Sequence, residues 1–127
     1  GGVGEFVDVK KLVDWSKKAG MKLVQILPIN ETVATHTWVD SYPYAAISVY
    51  ALHPMYLNLS AIGTIQNASL AKEMEEERRE LNALPEIDYE KVMAHKTRGI
   101  GALYKENPAW NQDKDYLAWF EAEKEWL

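Results

Sequence analysis

The residues of this sequence best suited to chemistry crowd into one stretch, Trp38 to Pro54, which reads Trp-Val-Asp-Ser-Tyr-Pro-Tyr-Ala-Ala-Ile-Ser-Val-Tyr-Ala-Leu-His-Pro. Flat rings at Trp38, Tyr42, Tyr44 and Tyr50 stand among the short polar arms of Asp40, Ser41 and His53. Such a mixture suits a sugar. A pyranose has a CH-rich face that packs on an aromatic ring, and a rim of hydroxyls that need hydrogen-bond partners because burying them unpaired costs free energy. For Tyr42, Tyr44 and Tyr50 ordinary packing fits equally well, since an amphipathic ring serves both purposes.

Other chemistries fit the same residues less well. His36, Asp40 and His53 have metal-ligand side chains, but their spacing matches no standard site, and a hydrogen-bonded loop accounts for them more simply. Ser41, His53 and Asp40 are the residue types of a hydrolase triad, yet Ser41 lacks the G-x-S-x-G elbow that would expose its hydroxyl. Glycosidic cleavage needs two carboxyl groups roughly 5 to 9.5 Å apart across the bond. Glu31 and Asp40 are the acids of this loop, neither has an evident partner, and no catalytic residue is assigned within the chain. Three Asn-x-Ser/Thr tripeptides, at Asn30, Asn58 and Asn67, are too short a signal to carry weight.

The elements that must position the aromatic stretch can be read around it. Lys22 to Ile29 is nearly uninterrupted in apolar residues (Leu23, Val24, Ile26, Leu27) and predicts a strand covered on both faces, ending at Pro28. The aromatics then sit on the long loop leaving its carboxyl end, where parallel α/β sheets bind ligands. Upstream, Val9, Leu12, Val13 and Ser16 recur at helical spacing, with Asp8 near the start as a cap and Gly20 as a stop. Gly2 and Gly4 begin a dinucleotide fingerprint, but Val7 stands where its third glycine belongs and no acid closes the following strand. A nucleotide site is therefore set aside. Ala45 to Leu59 reads as a short helical turn followed by extended chain through Tyr56 to Leu59.

Beyond Asn67 the composition changes. Leu70 to Leu84 is dense in Glu and Arg with a thin apolar seam, which predicts a solvated helix supported by the Glu75–Arg79 pair. Asp88 caps a third helix with Tyr89, Val92, Met93, Ile100, Leu103 and Tyr104 on one face, weakened by Gly99 and Gly101 and stopped at Asn107-Pro108. A fourth carries Tyr116, Trp119, Phe120 and Leu127, with Trp119 and Trp126 read as core. The chain opens without Met and stops while this helix is still amphipathic, so it reads as a piece of something longer. Residues 1–66 form one segment and 67–127 a helical insertion.

With 127 residues and a net charge of −5, the chain can hold a core but offers no basic face for a nucleic acid. It has no cysteine, hence no disulfide or thiolate chemistry, which is compatible with a reducing, cytoplasmic setting. No apolar run is long enough to span a membrane. Neither a metal nor a cofactor is expected.

Four blocks together resemble a known family: Gly2-Val3-Gly4-Glu5-Phe6, Lys22 to Asn30, Trp38-Val39-Asp40-Ser41-Tyr42-Pro43-Tyr44, and Ser48 to Leu57. They are similar to the 4-alpha-glucanotransferases (amylomaltases, or disproportionating enzymes) of the alpha-amylase clan, closest to the large plant-cytosolic and gut-bacterial type. The likeness continues through Asp88-Tyr89-Glu90, Val92 and Lys96 to Trp126-Leu127. It implies an α/β fold, a fragment of a TIM (β/α)8 barrel with a mainly α-helical insertion. It also implies an enzyme that moves α-1,4-glucan segments between malto-oligosaccharides with retention, through an Asp nucleophile and a Glu acid/base. Those carboxylates lie beyond Leu127 in family members, so the isolated chain is expected to be inactive. Tyr44 matches the tyrosine that stacks on the donor sugar, with Ser41 and Asp40 in the frame around it and Trp38 a second glucan-facing ring. Family members reading Asp-Ser-Pro-Tyr lack Tyr42, so two rings compete for one role, and Pro43 favours Tyr44. The alternative is a carbohydrate-binding or interaction module without catalysis. A lone barrel strand with unpaired edges is further expected to associate with a second copy.

Overall fold

The computed structural model describes residues 3–125. Helix α1 (Phe6–Lys18) begins at Glu5, whose backbone N–H donates to Asp8 Oδ2 at 3.0 Å, so Asp8 acts three positions inside the helix. Gly20, at φ +76°, turns the chain out after it, a conformation that a residue with a Cβ resists. The rest of the glycine-rich opening, Gly1 and Gly2, lies outside the described residues.

Helix α2 (Leu59–Ile62) is a single turn. The long helices α3 (Ala68–Ala83) and α4 (Tyr89–Glu106) follow, then α5 (Lys114–Glu123). Asn58, Asn67 and Asp88 start α2, α3 and α4 by accepting backbone N–H groups of Ala61, Leu70 and Lys91. Two of the Asn-x-Ser/Thr tripeptides thus serve as helix caps. Three 3-10 turns, Trp38–Ser41, Pro54–Tyr56 and Trp110–Gln112, punctuate the remainder.

The hub is α4. It packs against α2, α3 and the Trp38–Ser41 and Pro54–Tyr56 turns. Its face contributes Tyr89 and Val92 to a core completed by Met55 and Leu81, with Val3, Tyr56 and Met93 against it. Gly99, read above as a weak point, is where α4 comes closest to its neighbours. A Cβ placed there would lie 2.4 Å from Leu59 Cδ1 and 3.1 Å from Met74 Cε. Helix α3 is not wholly solvated either. Its Glu73 and Glu77 receive Arg98 at 2.6 and 2.7 Å, and Glu77 also meets His95 Nδ1 at 2.6 Å, which clasps α3 to α4.

Three expectations change. Lys22 to Ile29 forms no strand, and Leu23 and Leu27 are 85% and 62% exposed. A strand needs neighbours to take its N–H and C=O groups, and none of the described residues supplies a ladder. One antiparallel bridge, Asn30 to Leu52, is what remains of sheet geometry, with His53 N–H donating to Ile29 O at 2.9 Å. Secondly, the helical turn expected within Ala45 to Leu59 is Pro54 to Tyr56, and of the extended chain expected over Tyr56 to Leu59 only Leu57 and Asn58 are extended, since Tyr56 ends the turn and Leu59 opens α2. Thirdly, Trp119 is half exposed, because α5 packs on the Trp110–Gln112 turn and little else. Tyr116 does gather Trp110, Trp119 and Phe120 around it, at centroid distances of 5.0 to 6.1 Å. Trp126 and Leu127 lie outside the described residues.

Candidate functional site

The aromatic loop is held from within by Asp40. Its side chain is buried in the loop, and its two carboxylate oxygens accept the Thr35 and His36 backbone N–H groups, at 3.1 and 2.7 Å, and the Thr35 hydroxyl at 2.9 Å. Wrapping the chain around one carboxylate requires a tight turn, and His36 makes it at φ +58°. Burial opposes the charge on Asp40, but the hydrogen bonds from Thr35, Ala34 and His36 outweigh it and hold the carboxyl below its ordinary range. The Thr32 hydroxyl donates to Asp40 O on the other side. Glu31 likewise serves the loop, accepting Val33 N–H at 2.7 Å.

Beneath the loop lies His53, also buried. Its Nδ1 accepts Met55 N–H at 3.2 Å, which leaves the proton of the neutral ring on Nε2, 3.1 Å from Tyr89 Oη. Burial lowers the His53 pKa, against the pull of Glu31 and Asp40. Burial, aided by the Asp40 charge, pushes the Tyr89 phenol up to about 12. Both groups are therefore neutral at pH 7, as a closely packed polar pair should be. Ser41, Asp40 and His53 form no triad, since the carboxylate and the imidazole each have other partners. No three His, Asp or Glu side chains among the described residues converge as metal ligands would.

On this scaffold the rings face outward. Trp38 is 70% exposed, and Tyr42, Tyr44 and Tyr50 are each exposed by more than half. Tyr42 and Tyr44 lie 5.6 Å apart, tilted by 50°. Trp38 and Ser41 line a cavity of about 790 Å³ together with Pro43 and the start of α4, Ile87 to Glu90. Tyr44 is not in that lining. The four residues singled out from sequence thus divide: Trp38 and Ser41 share a cavity, Tyr44 pairs with Tyr42 beside it, and Asp40 is the internal brace. The sequence reading missed Glu90, whose Oε1 accepts Trp38 N–H at 3.0 Å. The Asp88-Tyr89-Glu90 tripeptide entered that reading as a helix start and as part of the family likeness, and neither pointed to a contact with Trp38.

A second cavity, of about 400 Å³, has charged walls that are already paired: Lys96 with Glu5 and the Leu57 carbonyl, Glu5 with Asn58, and Arg78 with Glu75. It joins the start of α1 to α4.

The sequence profile of the 4-alpha-glucanotransferases matches residues 1–127, the whole chain. The chain belongs to the 4-alpha-glucanotransferase family. It is 37% identical over 127 residues to the 4-alpha-glucanotransferase DPE2 of Oryza sativa subsp. japonica, a match that covers 99% of this chain and 13% of that protein. The 4-alpha-glucanotransferase of Chlamydia caviae is 34% identical, with 99% of this chain and 23% of that protein covered. That of Chlamydia trachomatis is 36% identical over 104 residues, covering 82% and 19%. The chain therefore spans 13% to 23% of the length of these relatives. No solved structure matches it. Among the described residues of this glucanotransferase chain, no helix is long and apolar enough to cross a membrane.

Proposed function

We propose that the protein containing this chain is a retaining 4-alpha-glucanotransferase, and that this segment supplies its glucan platform while the bond-breaking carboxylates come from elsewhere in the polypeptide. The observation that carries the reading is the loop itself. Exposed rings at Trp38, Tyr42 and Tyr44 are mounted on a backbone braced by a buried carboxylate, so the platform is held in shape while its apolar faces stay open to solvent. Tyr44 and Trp38 stack on glucose units, Ser41 offers its hydroxyl to a sugar hydroxyl, and Asp40 contributes by fixing the loop. Residues 1–66 belong to a (β/α)8 barrel in this reading. It is supported by the uncovered apolar run Leu23 to Leu27, which needs strands on both sides, and by the exposed Leu12 and Val13 of α1. Cytoplasmic α-1,4-glucans are the substrates that this proposal entails.

Tyr44→Ala in the full enzyme tests it. A stacked ring contributes about 1 kcal/mol beyond its buried area, so KM for maltotriose should rise five- to tenfold or so. Wild-type transfer rates at both limiting and saturating glucan would remove Tyr44 from the site.

A further inference from the structure

Trp38 opens a 3-10 turn, and the first N–H groups of any helical turn have no partner inside it. The preceding residue meets part of that need, since Thr37 Oγ1 accepts Val39 N–H, although at 3.4 Å. The Trp38 N–H itself is met from outside the loop, by Glu90 Oε1 at 3.0 Å, a residue 52 positions later on the first turn of α4. Such a hydrogen bond to a carboxylate is roughly twice as strong as a neutral one. The indole ring has no such anchor. It is 70% exposed and stacks on no other ring among the described residues, so its place is set through its backbone. Asp40 fixes the turn just before Trp38, at Thr35 and His36, and Glu90 fixes Trp38 itself.

We infer that Glu90 is a positioning residue for glucan binding: from the helical insertion it holds the Trp38 backbone so that the ring stands at the cavity shared by the loop and α4. The inference rests on the glucan-platform reading given above. Three features point to a role in binding. Glu90 lines the same cavity of about 790 Å³ as Trp38 and Ser41, within the range of roughly 300 to 1,000 Å³ usual for small-molecule sites. Its side chain is exposed, so its substitution leaves the core of Met55, Leu81, Tyr89 and Val92 intact. An open ring held in its bound orientation loses less freedom when ligand arrives, and that advantage appears in affinity.

The test is steady-state transfer from maltotriose by the full-length enzyme carrying Glu90→Ala, Glu90→Gln, Trp38→Ala, Tyr44→Ala, or Glu90→Ala with Trp38→Ala. Glu90→Ala should raise KM about fivefold, no more than loss of the stacked ring itself would, and leave kcat within about twofold. Glu90→Gln keeps an acceptor for the Trp38 N–H and should restore KM to within about threefold of wild type. The double variant should be no worse than Trp38→Ala alone, because Glu90 acts through Trp38. Additive losses in the double variant, or Gln and Ala variants that fall equally in kcat, would overturn the assignment. If the ring substitutions raise KM and Glu90→Ala does not, the inference fails while the glucan reading stands. If neither ring substitution moves KM, the glucan reading has failed and this inference falls with it.

Discussion

Two glycines two residues apart in α4 should respond unequally to the same substitution. A glycine inside a helix costs about 1 kcal/mol relative to alanine, so Gly→Ala gains that amount wherever the new methyl has room. At Gly101 nothing lies within 4 Å of the added Cβ, and Gly101→Ala should stabilise by up to about 1 kcal/mol. At Gly99 the Cβ would stand 2.4 Å from Leu59 Cδ1, 3.1 Å from Met74 Cε and 3.3 Å from Leu59 Cδ2. All three are side-chain ends that can retreat, so overpacking there costs about 1 to 3 kcal/mol. Set against the propensity gain, Gly99→Ala ranges from neutral to about 2 kcal/mol destabilising. The propensity contribution cancels in the difference between the two variants, which should be about 1 to 3 kcal/mol. Urea unfolding followed by tryptophan fluorescence and far-UV circular dichroism measures it. A second variant isolates the cause: Leu59→Ala removes the nearest methyls, so in that background Gly99→Ala should lose most of its penalty. Equal stabilisation by both alanines would show that α4 does not approach α2 and α3 at Gly99.

Two further outcomes follow from the buried polar contacts. Lys96→Met leaves Glu5 and the Leu57 carbonyl without their cation in a site where the lysine side chain is 10% and the glutamate 24% exposed; about 3 kcal/mol of stability should be lost, read as a lower urea midpoint. His53 titrates below its ordinary pKa in the folded state, so the unfolded chain takes up a proton first as pH falls. Its contribution is complete above about pH 6.5 and is lost as pH drops from there toward the lower folded value, when a proton on Nδ1 displaces the Met55 N–H. His53→Asn, which keeps an acceptor as Asn58 and Asn67 do at their helix starts, should abolish that step in the pH dependence of the urea midpoint. An unchanged step would locate the titrating group elsewhere.

The helices were legible because their signals are local. Asp88 at the start of α4, Asn107-Pro108 at its end, and the spacing of Tyr89, Val92 and Leu103 between them are all readable within one segment. The Lys22–Ile29 strand was not, because a strand is a relation between segments, and alternation or continuity of apolar residues says nothing about whether a neighbour is present. Gly99 misled for a related reason: propensity counts what a residue lacks, while its packing value depends on Leu59 and Met74, which only the fold brings near. In the candidate site, residue types identified Trp38, Tyr42 and Tyr44 as a group. A hydrogen-bonded loop was the simpler account of Asp40 beside its place in the sugar-binding frame, and only the contacts with Thr35 and His36 decide between them, since an aspartate that braces a turn and one that binds a hydroxyl are the same letter. Glu90 was hidden more deeply, because its contact with Trp38 depends on how α4 docks.

Asp40 braces the loop locally, but the bonds that dock it on α4 reach far along the polypeptide: 36 positions from His53 to Tyr89 and 52 from Trp38 to Glu90. During synthesis the rings therefore emerge well before the helix that orders them. At ribosomal speeds of roughly 5 to 20 residues per second, Trp38 waits about 3 to 10 s for Glu90 to be made. For that interval the loop is a bare, ring-rich segment on a nascent chain, and chaperones or neighbouring polypeptides have their first opportunity to bind it there.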